Sequence, residues 1–154
     1  MQIEVEFNVQ ALLTIKENFY AVANQALRIT ADKIAEDAKA NIDPSKSGLH
    51  NRSGALAGSI KVTRYVQLEP GSMGEISVTA GDETRVPYAN IHESGGTIQA
   101  RNKPLLKFQV NGQWVSKKQV VIPARPFLVP ALETGAENYS AVFLDEFERI
   151  FSEV

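Results

Sequence analysis

The chain has 154 residues, of which 44% are hydrophobic and 22% charged, and its formal net charge is -2. This composition is typical of globular proteins and excludes the disordered, collagen-like and low-complexity classes. Because the chain contains no cysteine, disulfides, thiol nucleophiles and thiolate metal sites are excluded. The length predicts a single domain over residues 1–154. No apolar run approaches the ~20 residues of a membrane span, and no secretion signal is recognisable, so we expect neither a membrane partner nor export.

The charges are distributed unevenly along the chain. Residues 101–125 carry six basic and no acidic residues, whereas residues 126–154 carry six acidic residues and one basic residue. One interpretation is that these two segments neutralise each other within one monomer. The other is that they form complementary surfaces between copies of the chain.

The amino-terminal part predicts a short strand followed by a long helix. Ile3, Val5 and Phe7 alternate with polar residues, as in a half-buried strand, and Asn8 is the predicted helix cap. Apolar residues then recur at spacings of three and four over residues 9–40, which predicts a helix about 45 Å long. A compact domain of this size is too small to cover a helix of this length on one side, so part of its apolar stripe would be left exposed for contact with a partner. A kinked helix, or two helices on one core, is the alternative.

A polar loop and a first hairpin follow. Ser53 is the predicted N-cap of a helical turn over residues 54–59. Residues 60–80 predict an antiparallel hairpin with its turn at residues 70–71. The alternation of apolar and polar residues places Tyr65 on the outer face of this hairpin.

Residues 101–118 predict a second, protruding hairpin that carries most of the positive charge. Asn111-Gly112 is a strong signal for a two-residue turn. This turn predicts three cross-strand pairs, namely Val110 with Gln113, Gln109 with Trp114, and Phe108 with Val115. The ribbon then has apolar groups on both faces, which is typical of a surface that docks on another molecule.

The remaining segments complete the fold class. A helical turn is predicted at residues 88–93, short strands at residues 97–101 and 120–122, and a helix that begins near Pro130 and breaks near Gly135. Together the elements predict an α+β fold, with an antiparallel sheet of about four strands flanked by a long N-terminal helix and a C-terminal helix.

Recognisable catalytic motifs are absent from the sequence. His50 and His92 have no metal-ligand spacing, and the sequence contains no nucleophile elbow, Walker loop or dinucleotide fingerprint. Acidic pairs such as Glu4 and Glu6 are typical of solvated strand edges. We therefore expect no enzymatic activity, no metal and no cofactor, and an unrecognised active site is the alternative.

Nucleic-acid binding is a second alternative. A tryptophan among cations can stack on a base while the cations neutralise phosphates. The residues that would do this are Trp114, Arg101, Lys107, Lys117, Lys118 and Arg125. With one tryptophan only, we interpret direct DNA contact as an accessory property rather than the main function.

Three tracts, taken in order, resemble a known family. The first tract, residues 52–60, reads RSGALAGSI; the second, residues 86–95, reads VPYANIHESG; and the third, residues 122–128, reads IPARPFL and is followed by Pro130-Ala131. They are similar to the signatures R-(S/T)-G-x-L-x-x-S-I, Y-A-x-x-(H)-(E/Q)-x-G and I-P-A-R-P-F-L of the tailed-phage neck or tail-completion proteins. This head–tail joining family is related to the virion-morphogenesis proteins of Mu-like phages.

The resemblance implies a non-enzymatic virion component of a bacteriophage or prophage. Such a protein joins the filled head to the tail as a ring around the DNA channel, with six copies expected. The implied partners are copies of the chain, the head connector and tail proteins, with the channel DNA close by. The implied location is the virion neck, after virion assembly in the bacterial host cytoplasm. A tail terminator, which caps the tail tube, is the alternative because it is also a small ring-forming α+β protein.

The candidate residues fall into two groups. We interpret the residues within the tracts as mainly architectural, with Arg125 capping carbonyl groups or pairing with a carboxylate rather than binding a ligand. These architectural residues are Gly54, Leu56, Ile60, Tyr88, Pro123, Arg125, Pro126 and Phe127. The hairpin cations and the acidic helix are the predicted surfaces of a ring interface. The interface residues are Arg101, Lys107, Trp114, Lys117, Lys118, Glu146 and Glu148.

Overall fold

The computed structural model describes residues 9–82, 84–101 and 103–152 and has the expected α+β class. The helices are α1 (Val9–Ala40), α2 (Ala55–Ser59), α3 (Ala89–Ser94) and α4 (Val129–Ser152). The strands are β1 (Lys61–Val66), β2 (Glu75–Thr79), β3 (Gly96–Gln99), β4 (Leu106–Val110), β5 (Gln113–Lys117) and β6 (Gln119–Ile122). The strand predicted at residues 3–7 and its neighbour Asn8 lie outside the described residues. Among the described helices, none is long and apolar enough to cross a membrane.

The two long helices, α1 and α4, pack against each other in antiparallel directions. The rings of Phe19 and Phe143 lie 5.4 Å apart, and the Tyr139 hydroxyl donates to the Ala23 carbonyl at 3.4 Å. Both predicted helices are confirmed, and α1 is a single helix of 32 residues. At the outer end of the pair, Phe19 and Leu144 remain 43% and 57% exposed. Part of the apolar surface therefore lies uncovered by the monomer.

The helix break predicted at Gly135 is wrong, because α4 runs without interruption through this residue. Gly135 is buried, and a Cβ built on it would clash with the side chain of Ile34 on α1. The missing side chain lets the two helices approach closely. Burial of apolar surface along this contact outweighs the poor helix propensity of glycine, which costs only about 1 kcal/mol.

The described strands form three antiparallel pairs rather than one continuous sheet. Strand β3 pairs with β6, and β4 pairs with β5 between them, so these four strands follow one another along one long ribbon. Lys103, Pro104 and Leu105 lie outside the ladder of this ribbon, and Pro104 has no N–H to donate. The second hairpin therefore lies beyond this interruption, with the predicted pairs Phe108–Val115 and Gln109–Trp114 confirmed.

The first hairpin, β1–β2, is confirmed but contains a register shift. Val62 pairs with Val78 and Arg64 with Ser77, so the residue between Val62 and Arg64 is left without a partner. Such a bulge reverses the alternation of faces beyond it. The prediction that Tyr65 lies on the outer face is therefore wrong. Its hydroxyl donates to the Asn24 carbonyl on α1 at 3.0 Å.

The hydrophobic core lies where the carboxyl-terminal half of α1 meets α2, α3 and the start of α4. Phe127 and Ile60 are 1% and 2% exposed and are among its largest side chains. The other members are Ile34, Ala35, Ala38, Ile42, Leu49, Leu56, Val86, Ala89 and Ala131. Since each of the three sequence tracts contributes to this core, the core holds the tracts against one another.

Candidate functional site

The first tract contributes the short helix α2 to the site. Gly54 is its N-cap, with φ of 72° in the left-handed region that glycine adopts without strain. The prediction that Ser53 caps this helix is wrong, since its hydroxyl accepts only a long bond from the Ala55 N–H at 3.4 Å. Leu56 and Ile60 are buried beneath the turn.

The second tract caps the helix that follows the third. The carboxylate of Glu93 accepts hydrogen bonds from the backbone N–H groups of Phe127 and Leu128, both at 3.0 Å, and of Val129 at 2.9 Å. These donors have no partner inside the helix, and a negative charge is favourable at a helix N-terminus. Sequence reasoning had given Glu93 no role, because its partners lie 34 to 36 residues away.

The backbones of the second and third tracts are also in contact. The Arg125 N–H donates to the His92 carbonyl at 2.7 Å. Gly95, with φ of 69°, lies so close to the third tract that a Cβ there would be 2.7 Å from the Ala124 nitrogen. Pro123 and Pro126 are exposed, while Phe127 is buried. The third tract is thus fixed to α3 at several points.

A cavity of about 360 Å³ opens where the three tracts meet. Polar and basic side chains form most of its lining. The lining residues are Leu49, His50, Asn51, Arg52, Ser53, Leu56, Tyr88, His92 and Arg125. Tyr88, predicted to be architectural, is 38% exposed at this cavity, and its ring contacts His92 edge-on.

The charged groups that line the cavity are positive and have no acidic partner among the described residues. The side chain of Arg125 is half-buried and makes no hydrogen bond or ion pair within the described part of the chain. The expectation that it caps carbonyl groups or pairs with a carboxylate therefore has no support among these residues. Burial lowers the pKa of His92, and the positive charge of Arg125 lowers it further. The buried Nδ1 atom of His92 has no hydrogen-bond partner among the described residues.

Acidification is expected to destabilise the protein through His92. Because the folded state depresses the His92 pKa below its ordinary value of about 6.5, the unfolded chain takes up the proton at higher pH. Stability is then full above about pH 6.5 and is lost as pH falls through the folded-state pKa. Urea unfolding at pH 7.5 and pH 5 would measure this loss.

The matched variant for this experiment is His92→Gln, which removes the titrating group. The Asp43 and Asp82 carboxyl groups accept hydrogen bonds that lower their pKa values, so they titrate below this pH window. We expect the variant to lose less stability between pH 7.5 and pH 5 than the wild type. An equal loss in both proteins would contradict the assignment to His92.

A second candidate surface is the hairpin β4–β5 together with its base. Trp114, whose cross-strand partner is Gln109, is 72% exposed. The cations of the hairpin and its base are also exposed and form no ion pair within the described residues. These cations are Arg101, Lys103, Lys107, Lys117 and Lys118. Arg125 lies in the cavity instead, so the structure separates it from the cations of the hairpin.

The predicted acidic partners on α4 differ in their availability. Glu146 is only 15% exposed and pairs with Arg149 on its own helix at 2.7 Å, whereas Glu148 is exposed. Other exposed carboxylates of α4 are Glu133, Glu137 and Asp145. No ion pair joins the hairpin to α4 in the described ranges. Within the described residues, the two oppositely charged segments are therefore not joined by salt bridges.

The described residues contain no group of three or more His, Cys, Asp or Glu side chains that could hold a metal ion. Comparison with protein-family models, with curated proteins and with solved structures finds no match for this chain. The structural basis for a functional proposal is therefore the geometry of the tract junction and of the hairpin.

Proposed function

We propose that this chain is a structural virion protein that joins the head of a tailed bacteriophage to its tail as a ring in the neck. The observation that carries the proposal is the hairpin β4–β5, whose exposed Trp114 and unpaired cations have no counterpart in the monomer's own described contacts. An exposed tryptophan on a ribbon that carries unpaired cations is typical of a surface that an assembly protein buries against a neighbour.

The three tracts give the proposal its second support. Their resemblance to the head–tail joining family rests on order and spacing, and their residues are in contact in the fold. Glu93 of the second tract bonds the backbone of the third at Phe127 and Leu128, and all three tracts line one cavity. A set of motifs that forms one structural unit is what a shared fold requires.

The ring contact would be heterologous, with the hairpin of one copy on helix α4 of the next. Such a contact needs two different complementary surfaces, and rotation closes it into a ring. The hairpin supplies cations and Trp114, while α4 supplies exposed carboxylates such as Glu137 and Glu148 and the exposed Leu144. In this proposal the ring contains six copies of the chain and contacts the head connector and tail proteins. The virion is assembled in the bacterial host cytoplasm.

Deletion of the gene from the phage or prophage that encodes it tests the function. We expect negative-stain electron microscopy of the lysate to show filled heads and finished tails that are not joined. Tails of uncontrolled length would instead make the chain a tail terminator. Normal infectious particles would contradict both roles.

Charge reversal on the hairpin tests the interface. We expect Lys117→Glu with Lys118→Glu to reduce infectious particles at least tenfold while the purified protein keeps its circular dichroism spectrum, because both side chains are exposed. The plaque titre after complementation of the deletion measures the effect.

Two controls accompany this double variant. Lys39→Glu with Lys61→Glu makes the same charge change at exposed positions away from the hairpin and should leave the titre unchanged. Asp145→Lys with Glu148→Lys on α4, combined with the hairpin variant, should restore part of the titre. An unaffected titre in the hairpin variant would show that this surface is not the interface.

The same surface also favours a second candidate, a nucleic-acid-binding module. The exposed Trp114 has the chemistry to stack on a base, and the exposed lysines of the same ribbon can neutralise phosphates. This candidate predicts retention on DNA at about 50 mM salt with a steep loss at higher salt. Absence of retention at the lower salt concentration would remove it.

A further inference from the structure

We propose that the cavity at the junction of the three tracts binds a small oxyanion, either a phosphate group or a carboxylate, through the guanidinium groups of Arg52 and Arg125. The two arginines line one cavity of about 360 Å³ together with His50 and His92, and none of the lining residues is acidic. This inference is independent of the role in the neck, because it concerns a small ligand of the folded monomer.

The state of Arg125 is the main physical argument. Its backbone is fixed by the 2.7 Å bond from its N–H to the His92 carbonyl. Its side chain passes the loop between α1 and α2, where the Cβ position of Gly48 would be 3.8 Å from Nε. Arg125 is half-buried, and its guanidinium has no hydrogen-bond or ion-pair partner among the described residues. A partly buried cation is costly unless an anion or hydrogen-bond acceptor complements it.

The other lining groups are suited to the same ligand. Arg52 is exposed and also lacks a side-chain partner in the described part of the chain, so it is free to close over a bound group. Guanidinium groups bind phosphate and carboxylate oxygens through paired, charge-assisted hydrogen bonds. The hydroxyls of Ser53 and Tyr88 add hydrogen-bonding capacity to the lining.

The size of the cavity indicates the class of ligand. A volume of about 360 Å³ lies at the lower end of the range for small-molecule sites, about 300–1,000 Å³. It accommodates a single anionic group with a small attached moiety. The hairpin β4–β5, which carries the exposed Trp114, is a different surface and takes no part in this site.

Titration of the isotope-labelled protein with sodium phosphate and, separately, with sodium acetate tests the proposal. At constant ionic strength maintained with sodium chloride, we expect saturable shifts of the Arg52, His92 and Arg125 amide signals with a Kd of about 1 mM or tighter. A bound anion should also raise the pKa of His92, since it favours the imidazolium form. Response to phosphate alone, to acetate alone or to both identifies the anion class and supports the site.

Two variants make the result decisive. Arg125→Gln and Arg52→Gln should each weaken binding at least tenfold. If the substitution of the half-buried Arg125 impairs folding, Arg52→Gln still tests the site, because Arg52 is exposed. Lys61→Gln, which removes an exposed charge on β1, should bind as the wild type does. The proposal is overturned if neither anion produces saturable shifts, or if both arginine variants bind as tightly as the wild type.

Discussion

Replacing Glu93 with alanine is expected to destabilise the protein by about 2–4 kcal/mol. Its carboxylate is the acceptor for the backbone N–H groups of Phe127, Leu128 and Val129. Removing it leaves these donors without that partner at the positive end of the α4 dipole. Phe127 is buried in the core, so the loss reaches the packing at the start of α4. Urea unfolding followed by circular dichroism measures the change.

The choice of variants separates capping from a general loss of charge. Glu93→Gln keeps one acceptor oxygen and should recover part of the stability, because hydrogen bonds to a neutral acceptor are roughly half as strong as those to a carboxylate. Glu133→Ala removes an exposed carboxylate from α4 itself and should change stability by less than about 0.5 kcal/mol. If Glu93→Ala were no more harmful than Glu133→Ala, the capping role would be refuted.

The elements that sequence reasoning predicted correctly are those determined by neighbouring residues. The register of β4 with β5 follows from the two-residue turn at Asn111-Gly112, whose φ angles of 51° and 81° are both positive as that turn requires. The bounds of α1, Val9–Ala40, follow from an apolar pattern that continues without Gly or Pro. Local rules of this kind need no knowledge of the rest of the fold.

The features that sequence reasoning missed depend on distant contacts. The continuity of α4 through Gly135 depends on Ile34, about a hundred residues earlier in the chain. The inward position of Tyr65 depends on the bulge between Val62 and Arg64. A signal for the role of Glu93 did exist, since no Ser, Thr, Asp or Asn precedes α4 in the segment 126–128. A helix that begins without a local cap leaves N–H groups that water or a distant side chain has to satisfy.

The two candidate sites also differ in whether the sequence alone could predict them. The hairpin surface could be predicted because its charge and its turn are local, and the structure adds that the cations lack ion pairs among the described residues. The cavity could not be predicted, because Arg52, His92 and Arg125 converge only through the packing of the three tracts. The family resemblance singled out these three tracts as motifs, but it did not indicate that they line one cavity.

Replacing Gly95 with alanine is expected to cost about 2–5 kcal/mol, through two separate effects. The φ angle of 69° is strained for any residue with a side chain, and the new Cβ would lie 2.7 Å from the Ala124 nitrogen and 3.0 Å from the Ile122 carbonyl oxygen. Both neighbours are backbone atoms of the ribbon and the third tract, so they have no rotamer with which to move away. Relief requires α3 and the third tract to separate, which also pulls Glu93 away from the start of α4.

Gly71→Ala is the control for a positive φ without a close contact. Gly71 has a φ of 80°, and a Cβ there meets nothing within 4 Å. We expect this control to lose about 1–2 kcal/mol, as the strain of a positive φ alone predicts. Because Gly95 combines its φ of 69° with a ψ of -177°, a region that essentially only glycine adopts, the additional loss in Gly95→Ala, measured by urea unfolding of both variants, reports this stricter backbone requirement together with the close contact between the second and third tracts. Equal losses would mean that this contact relaxes freely and that the junction is not held as tightly as its hydrogen bonds indicate.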